Sequence, residues 1–212
     1  MKIINKLPIL PYSYDHFEPY IDKKTMELHY TKHHAAYLNN VLLFLKTTIY
    51  QDKSLSYILK NFDTLKLLKK DVLKNNLGGH INHCFFWKGL KKNTQISNIF
   101  YKEINKQFGN FQNFVEIFEK TAMQHFGAGW VWLIKIKNNL KIISTKNQDY
   151  PSFLTDRINM DIIPIIGLDL WEHAYYLNYF NQKIEYVRSF WKIINWDRAN
   201  KLFLKVSHDS LK

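Results

Sequence analysis

Cysteine is nearly absent from this chain. Cys84 is the only one in 212 residues, so no disulfide can close within it, and a reducing, cytoplasmic compartment is the expectation. Apolar runs of membrane length are also missing. VLLFL (41–45) and IIPIIGLDLW (162–171) fall far short of the roughly 20 residues a span needs, and the second carries Pro164 and Asp169. MKIINKLPILPYS, at the start, is interrupted by Lys6, Pro8 and Pro11 before an apolar core of secretory-signal length develops. No internal repeat or low-complexity linker is found. Acidic residues are scarce, 18 against 30 Lys and Arg, for a formal charge of +12. That excess invites a nucleic-acid reading, but the lysines are scattered as singles and pairs, so neither nucleic acid nor membrane is expected as a partner. A positive field has another use, which is to speed the arrival of a small anionic substrate.

What the chain does have is apolar and aromatic bulk: 46% hydrophobic residues and 16% aromatics, enough to bury a sizeable core. Residues 1–21 hold three of the five prolines and read as an extended arm, leading to a helix that Asp22 or Thr25 could cap. From Met26 to about Lys46 the pattern is helical, with His29, His33, Ala36, Tyr37 and Asn40 on one face and an apolar stripe beside it. A second helix is predicted over about 54–69, and a third beginning after NNLGGH and running through INHCFFWKGL, the pair suggesting an antiparallel α-hairpin.

After Asn93 the character changes. Two amphipathic helices are separated by Gly109 and Asn110. GWVWLIKIKNNLKIIST then alternates with period two, and Asn138 and Asn139 mark a tight hairpin turn. MDIIPIIGLDLW gives a third strand, followed by a short buried helix that begins near Asp169. The C-terminal segment is helical, with a break at Asn195. The expected fold class is α+β: a helical-hairpin domain over 1–93 and an α/β domain over 94–212 with a small three-stranded antiparallel sheet.

The nine histidines are unevenly spread. HYTKHH holds His29, His33 and His34; GGHINH holds His80 and His83; and GLDLWEHAYYLNYF sets Asp169 four positions before His173, a spacing that on a helix points both groups at one spot. Clusters like these on separate helices can meet in a core as a mixed N/O site suited to Fe, Mn or Zn, without the thiolates of a structural zinc. Any one of these histidines alone reads as a hydrogen-bonded core or surface residue; three clusters together favour a metal. Spacing does not choose among His29, His33 and His34, or between His80 and His83.

In order and separation, LPYSYDHFEPYID, HYTKHHAAYLNN, NNLGGHINHCFFW, HFGAGWVWL, STKNQD and GLDLWEHAYYLNY closely resemble the iron/manganese superoxide dismutase family, over almost the whole chain. The resemblance implies a superoxide dismutase, with metal ligands His29, His83, Asp169 and His173. It also implies that His33 and Tyr37 form the gateway for superoxide, and that Gln148 hydrogen-bonds the metal's solvent ligand. Trp87, Trp130, Trp132 and Trp171 would form an aromatic wall, for each of which core packing is the ordinary alternative. Glu172 and Tyr176 would brace His173 and His33 across a homodimer interface. Gly79 facing Gln148 matches the manganese-type arrangement, with iron as a possible second metal. Lys183 stands where the family usually has arginine, keeping the charge but losing the forked geometry. His125 and Cys84 are expected only to pack. A zinc hydrolase is the main rival, but it needs a free carboxylate poised beside the metal, and Glu172 is expected to point elsewhere.

Overall fold

The structure, a computed structural model, describes residues 5–153 and 162–205. The N-terminal arm leads to Asp22, whose carboxylate accepts from Thr25 N at 2.9 Å and caps the first helix. That helix is continuous but not uniform. An α segment, Lys23–Leu28 (α1), widens into a π-helical turn, His29–His34, and then resumes as Ala35–Lys46 (α2). The widening was not expected from the pattern, and it has a consequence. His29 and His34, five residues apart, are both buried, whereas His33 is exposed. Residues at that spacing share a face where i→i+5 bonding replaces i→i+4.

The helix expected over 54–69 ends early. Ser54 caps Leu55–Lys60 (α3), and Asn61 then turns its Nδ2 back onto Tyr57 O at 2.9 Å, giving the chain a local alternative to a further helical turn. A 3-10 turn, Phe62–Thr64, follows. The third helix, Lys70–Lys88 (α4), starts well before its expected place and carries Gly78 and Gly79 in its middle instead of ahead of it. The glycines mark a close approach, not a break. A Cβ on Gly79 would lie 2.5 Å from the Tyr37 ring, and one on Gly78 would overlap the Gln148 carbonyl oxygen. A helical hairpin does form, but α2 and α4, from the first and third expected helices, build it, not the second and third as expected.

Asn98–Phe108 (α5) and Phe111–Gln124 (α6) flank Gly109, which takes a φ of 87°. The sheet follows with Gly129–Ile136 (β1), Asn139–Lys146 (β2) and Ile162–Asp169 (β3), in the order β2-β1-β3 and antiparallel throughout. The hairpin turn sits one residue earlier than expected. Lys137 takes the left-handed φ of 54°, and Asn139 already pairs with Ile136. Pro164, which has no N–H to give a ladder, is tolerated because β3 is an edge strand. Residues 129–135 of β1 are all buried, as befits a central strand between layers: α6 packs on β1 and β2, and α4 and the C-terminal helix, Trp196–Phe203, pack on β3.

Asp169 and His173 do not share a helix. Asp169 ends β3, and His173 lies in a 3-10 turn, Glu172–Ala174. The expected i,i+4 face is therefore replaced by a strand end folding back on itself, with Trp171 N donating to Asp169 Oδ1 at 3.0 Å. A short helix, Tyr176–Tyr179 (α7), then Lys183–Phe190 (α8) and Trp196–Phe203 (α9) complete the chain. The break at Asn195 is as expected: its side chain accepts from Arg198 N and donates to Lys88 O.

Candidate metal centre

Four elements from both halves of the chain deliver one side chain each to a common point. His29 comes from the π turn, His83 from α4, Asp169 from the end of β3 and His173 from the turn after it. Asp169 Oδ2 lies 3.2 Å from His29 Nε2, 3.5 Å from His83 Nε2 and 3.2 Å from His173 Nε2. The β1–β3 register, which sets Trp130 opposite Asp169, holds the carboxylate in place. Ligand atoms about 2.0–2.2 Å from one ion stand roughly 3.0–3.6 Å from each other, so the separations suit one metal.

Hydrogen bonding makes the same point. His29 Nε2 and His83 Nε2 are buried, and neither has a hydrogen-bond partner among the described residues despite its nearness to the carboxylate. These nitrogens converge without pairing, an arrangement unfavourable in a protein interior that a cation would satisfy. His83 is fixed in the required tautomer, since Nδ1–H donates to Gly79 O at 2.6 Å and leaves Nε2 as the ligand atom.

Protonation states agree. Burial, aided by the neighbouring His173, pushes the His29 pKa down to about 4, and burial pushes His83 well below the ordinary histidine value. For Asp169, burial alone would favour the neutral acid, but His173 and the contacts to His29 outweigh it and hold the carboxyl well below the usual range. Two neutral imidazoles and a carboxylate are what a divalent or trivalent ion requires.

Around the four ligands, Tyr37 Oη accepts from Gln148 Nε2 at 3.1 Å, and burial raises the phenol to about 12. Gln148 Oε1 in turn accepts from Trp130 Nε1 at 3.0 Å and from Asn82 Nδ2 at 3.2 Å. Asn82 was missed in the sequence. Its only signal there was its place beside His83 in GGHINH, and its role as the clamp on Gln148 depends on a chain segment 66 residues away. Trp87 meets His29 edge-on at 4.7 Å, Trp130 meets His83 at 5.4 Å, and Trp171 stacks 5.8 Å from His173. Trp132 stacks behind Trp130 at 5.4 Å and donates to Thr145 Oγ1, one layer further out than its companions.

His33 stacks on His173 at 4.1 Å, and with half-buried Tyr37 and Trp171 it lines the side that reaches the surface. Glu172 and Tyr176 are exposed beside it. Lys183 opens α8 with its ammonium pKa lowered by burial and partly restored by Glu172. His125 Nε2 lies 3.2 Å from Ala128 O, away from the centre. Cys84 is buried, as expected, but its sulfur lies within 3.8 Å of ring nitrogens of both His34 and His80.

Comparison with known proteins finds two family models. The alpha-hairpin domain of iron/manganese superoxide dismutases matches residues 5–91, and their C-terminal domain matches residues 96–202. The chain is 47% identical over 199 residues to the manganese superoxide dismutase of Buchnera aphidicola subsp. Acyrthosiphon pisum, covering 94% of this chain and 98% of that one. It is 44% identical over 198 residues to that of Escherichia coli K12, covering 93% and 96%. Against the Haemophilus ducreyi protein of the same description the identity is 43% over 199 residues, covering 93% of each.

Proposed function

The chain belongs to the iron/manganese superoxide dismutase family, and from that premise we propose that it removes superoxide at a manganese ion held by His29, His83, Asp169 and His173. One observation carries the metal reading: the donor atoms of these four residues lie within 4.8 Å of one another, two of them buried without a hydrogen bond among the described residues. Bound manganese supplies a one-electron couple, so that one superoxide leaves as O2 and a second, with two protons, as H2O2. The protein does the rest. Positive charge draws the anion in, and the opening between His33, Tyr37 and Trp171 admits it. The indoles of Trp87 and Trp130 exclude bulk water from the ligand rings. Tyr37 holds a proton at Oη throughout the physiological range, and Gln148 fixes that hydroxyl's direction.

Manganese, not iron, is supported by the backbone that delivers the glutamine. Gln148 arrives from the C-terminal half, and in the N-terminal half Gly79 on α4 leaves Tyr37 room to meet it. Metal analysis of the purified protein, with turnover measured after reloading with each ion, tests this; activity with iron alone would overturn it. We also infer a two-fold homodimer, supported by the exposure of Glu172 and of Tyr176 at 51% beside the site. Glu172 would brace the partner subunit's His173, and a monomer in sedimentation at micromolar concentration would refute this. We likewise propose a domain junction at 93/94, between α4 and α5, a reading supported by the left-handed φ of 59° at Asn93. A cytoplasmic location rests on the single cysteine; among the described residues no helix is long and apolar enough to cross a membrane.

A further inference from the structure

Behind the centre lies a second group of metal-binding residue types: His34, His80 and Cys84, all buried, with one nitrogen or sulfur from each within 4.8 Å of the others. Its composition matches the His2Cys sites that take soft ions. Hydrogen-bond direction argues otherwise. A histidine that binds a metal through one nitrogen donates N–H from the other, as His83 does to Gly79 O. His34 faces the opposite demand, because its Nδ1 lies 2.9 Å from Trp87 Nε1, and an indole nitrogen donates and never accepts. The lone pair must therefore sit on Nδ1 and the proton on Nε2, which rules out both the metal-binding tautomer and the charged ring. His34 Nε2 lies 2.8 Å from His80 Nδ1, so His80 must accept there and carry its own proton on Nε2, 3.7 Å from Cys84 Sγ.

We propose that His34 and His80 are positioning residues of the metal centre: a one-way file of hydrogen bonds, from Trp87 to His34 to His80, holds two ligand rings in place and admits no second ion. The file acts at two contacts. It pins the Trp87 indole, which meets His29 edge-on at 4.7 Å, since any rotation would orphan a buried N–H. It also fixes the His34 ring, which lies 5.3 Å from His83 and within 19° of parallel to it. Tyr12 Oη, donating to Trp87 O at 2.7 Å, secures the same residue from the backbone side. What is held in place depends on the metal reading above; the direction of the file does not.

Nitrogen-resolved NMR of the full chain loaded with zinc, a diamagnetic ion, reads both. Expected are Nε2–H protons on His34 and His80, and Nδ1–H on His83. A proton on His34 Nδ1 overturns the file, whereas a His83 Nε2 unshifted by zinc would sink the metal centre and leave the file standing. Titration of the metal-free protein with Co2+ is expected to show no thiolate charge-transfer band; a band that Cys84→Ser abolishes would establish a second site and refute the proposal. His34→Leu should release zinc about 10-fold faster than the parent and shift the midpoint potential of bound manganese. His34→Gln can still accept from Trp87 and donate to His80, and should stay within about twofold. Equal release rates and potentials for all three proteins would also refute it.

Discussion

Gly79→Ala is a small substitution with a large expected effect. The added Cβ would stand 2.5 Å and 2.6 Å from two carbons of the Tyr37 ring, whereas carbon atoms pack comfortably at about 3.5–4.0 Å, so the ring must withdraw by about 1 Å. That movement stretches the 3.1 Å bond from Gln148 Nε2 to Tyr37 Oη beyond useful reach. Overpacking costs about 1–3 kcal/mol and the lost hydrogen bond about 1 kcal/mol, set against about 1 kcal/mol that alanine gains over glycine within a helix. The net is about 1–3 kcal/mol, or roughly 3–9 °C in Tm for a chain of this size. A misplacement of about 1 Å in the reacting geometry is worth up to 100-fold in rate, so turnover per bound metal should fall about 10- to 100-fold. Thermal unfolding and stopped-flow superoxide decay on metal-matched samples measure both. A double-mutant cycle isolates the cause: in a Tyr37→Ala background the ring is gone, and Gly79→Ala should become neutral or stabilising by about 1 kcal/mol. If Gly79→Ala kept the parent's Tm and rate, or stayed as harmful without the ring, the close-approach reasoning would be wrong.

Other expectations can be checked as directly. Gly78→Ala should destabilise more than Gly79→Ala in the same melting assay, because its Cβ meets the Gln148 backbone carbonyl, which cannot swing aside as a side chain can. In the metal-free protein, His29 releases its proton near pH 4 when folded but near 6.5 when unfolded, so the unfolded chain binds more protons between these values. Stability should therefore be full above pH 6.5 and fall toward pH 4, by about 3 kcal/mol for this group; urea midpoints that do not change across that window would contradict it. Gln148→Leu leaves the Trp130 indole N–H buried without its acceptor and should cost about 1–3 kcal/mol by chemical denaturation, along with most of the activity. Asn195→Ala removes the α9 cap and its tie to Lys88, and should cost about 1–2 kcal/mol with turnover per metal unchanged.

Much of the fold was legible in the sequence because its signals are local. The alternation through GWVWLIKIKNNLKIIST, the cap at Asp22, one of two candidates, and the breaks at Gly109 and Asn195 each act over a few residues, and each appears where expected, apart from a one-residue shift of the hairpin turn. The helix expected over 54–69 is cut short locally, by Asn61, but two other misplacements arise where a distant partner prevails over the local signal. Gly78 and Gly79 looked like a helix boundary, yet Tyr37 and the Gln148 backbone need their missing side chains in mid-helix. Asp169 and His173 looked like one helical face, yet pairing with β1 keeps Asp169 in a strand.

The candidate site divides in the same way. Composition and spacing pointed to a mixed histidine–carboxylate centre, and the family motifs identified its members, because those residue types are rare enough to stand out in a row of letters. Spacing could not separate His29 from His34, or His83 from His80. Tertiary structure separates them through the tautomers: Gly79 O takes the Nδ1 proton of His83 and frees its Nε2 for a metal, while the Trp87 indole turns His34 the other way, and His80 with it. A histidine's chemistry depends on which nitrogen carries the proton, and that is decided by a neighbour which only the folded chain supplies.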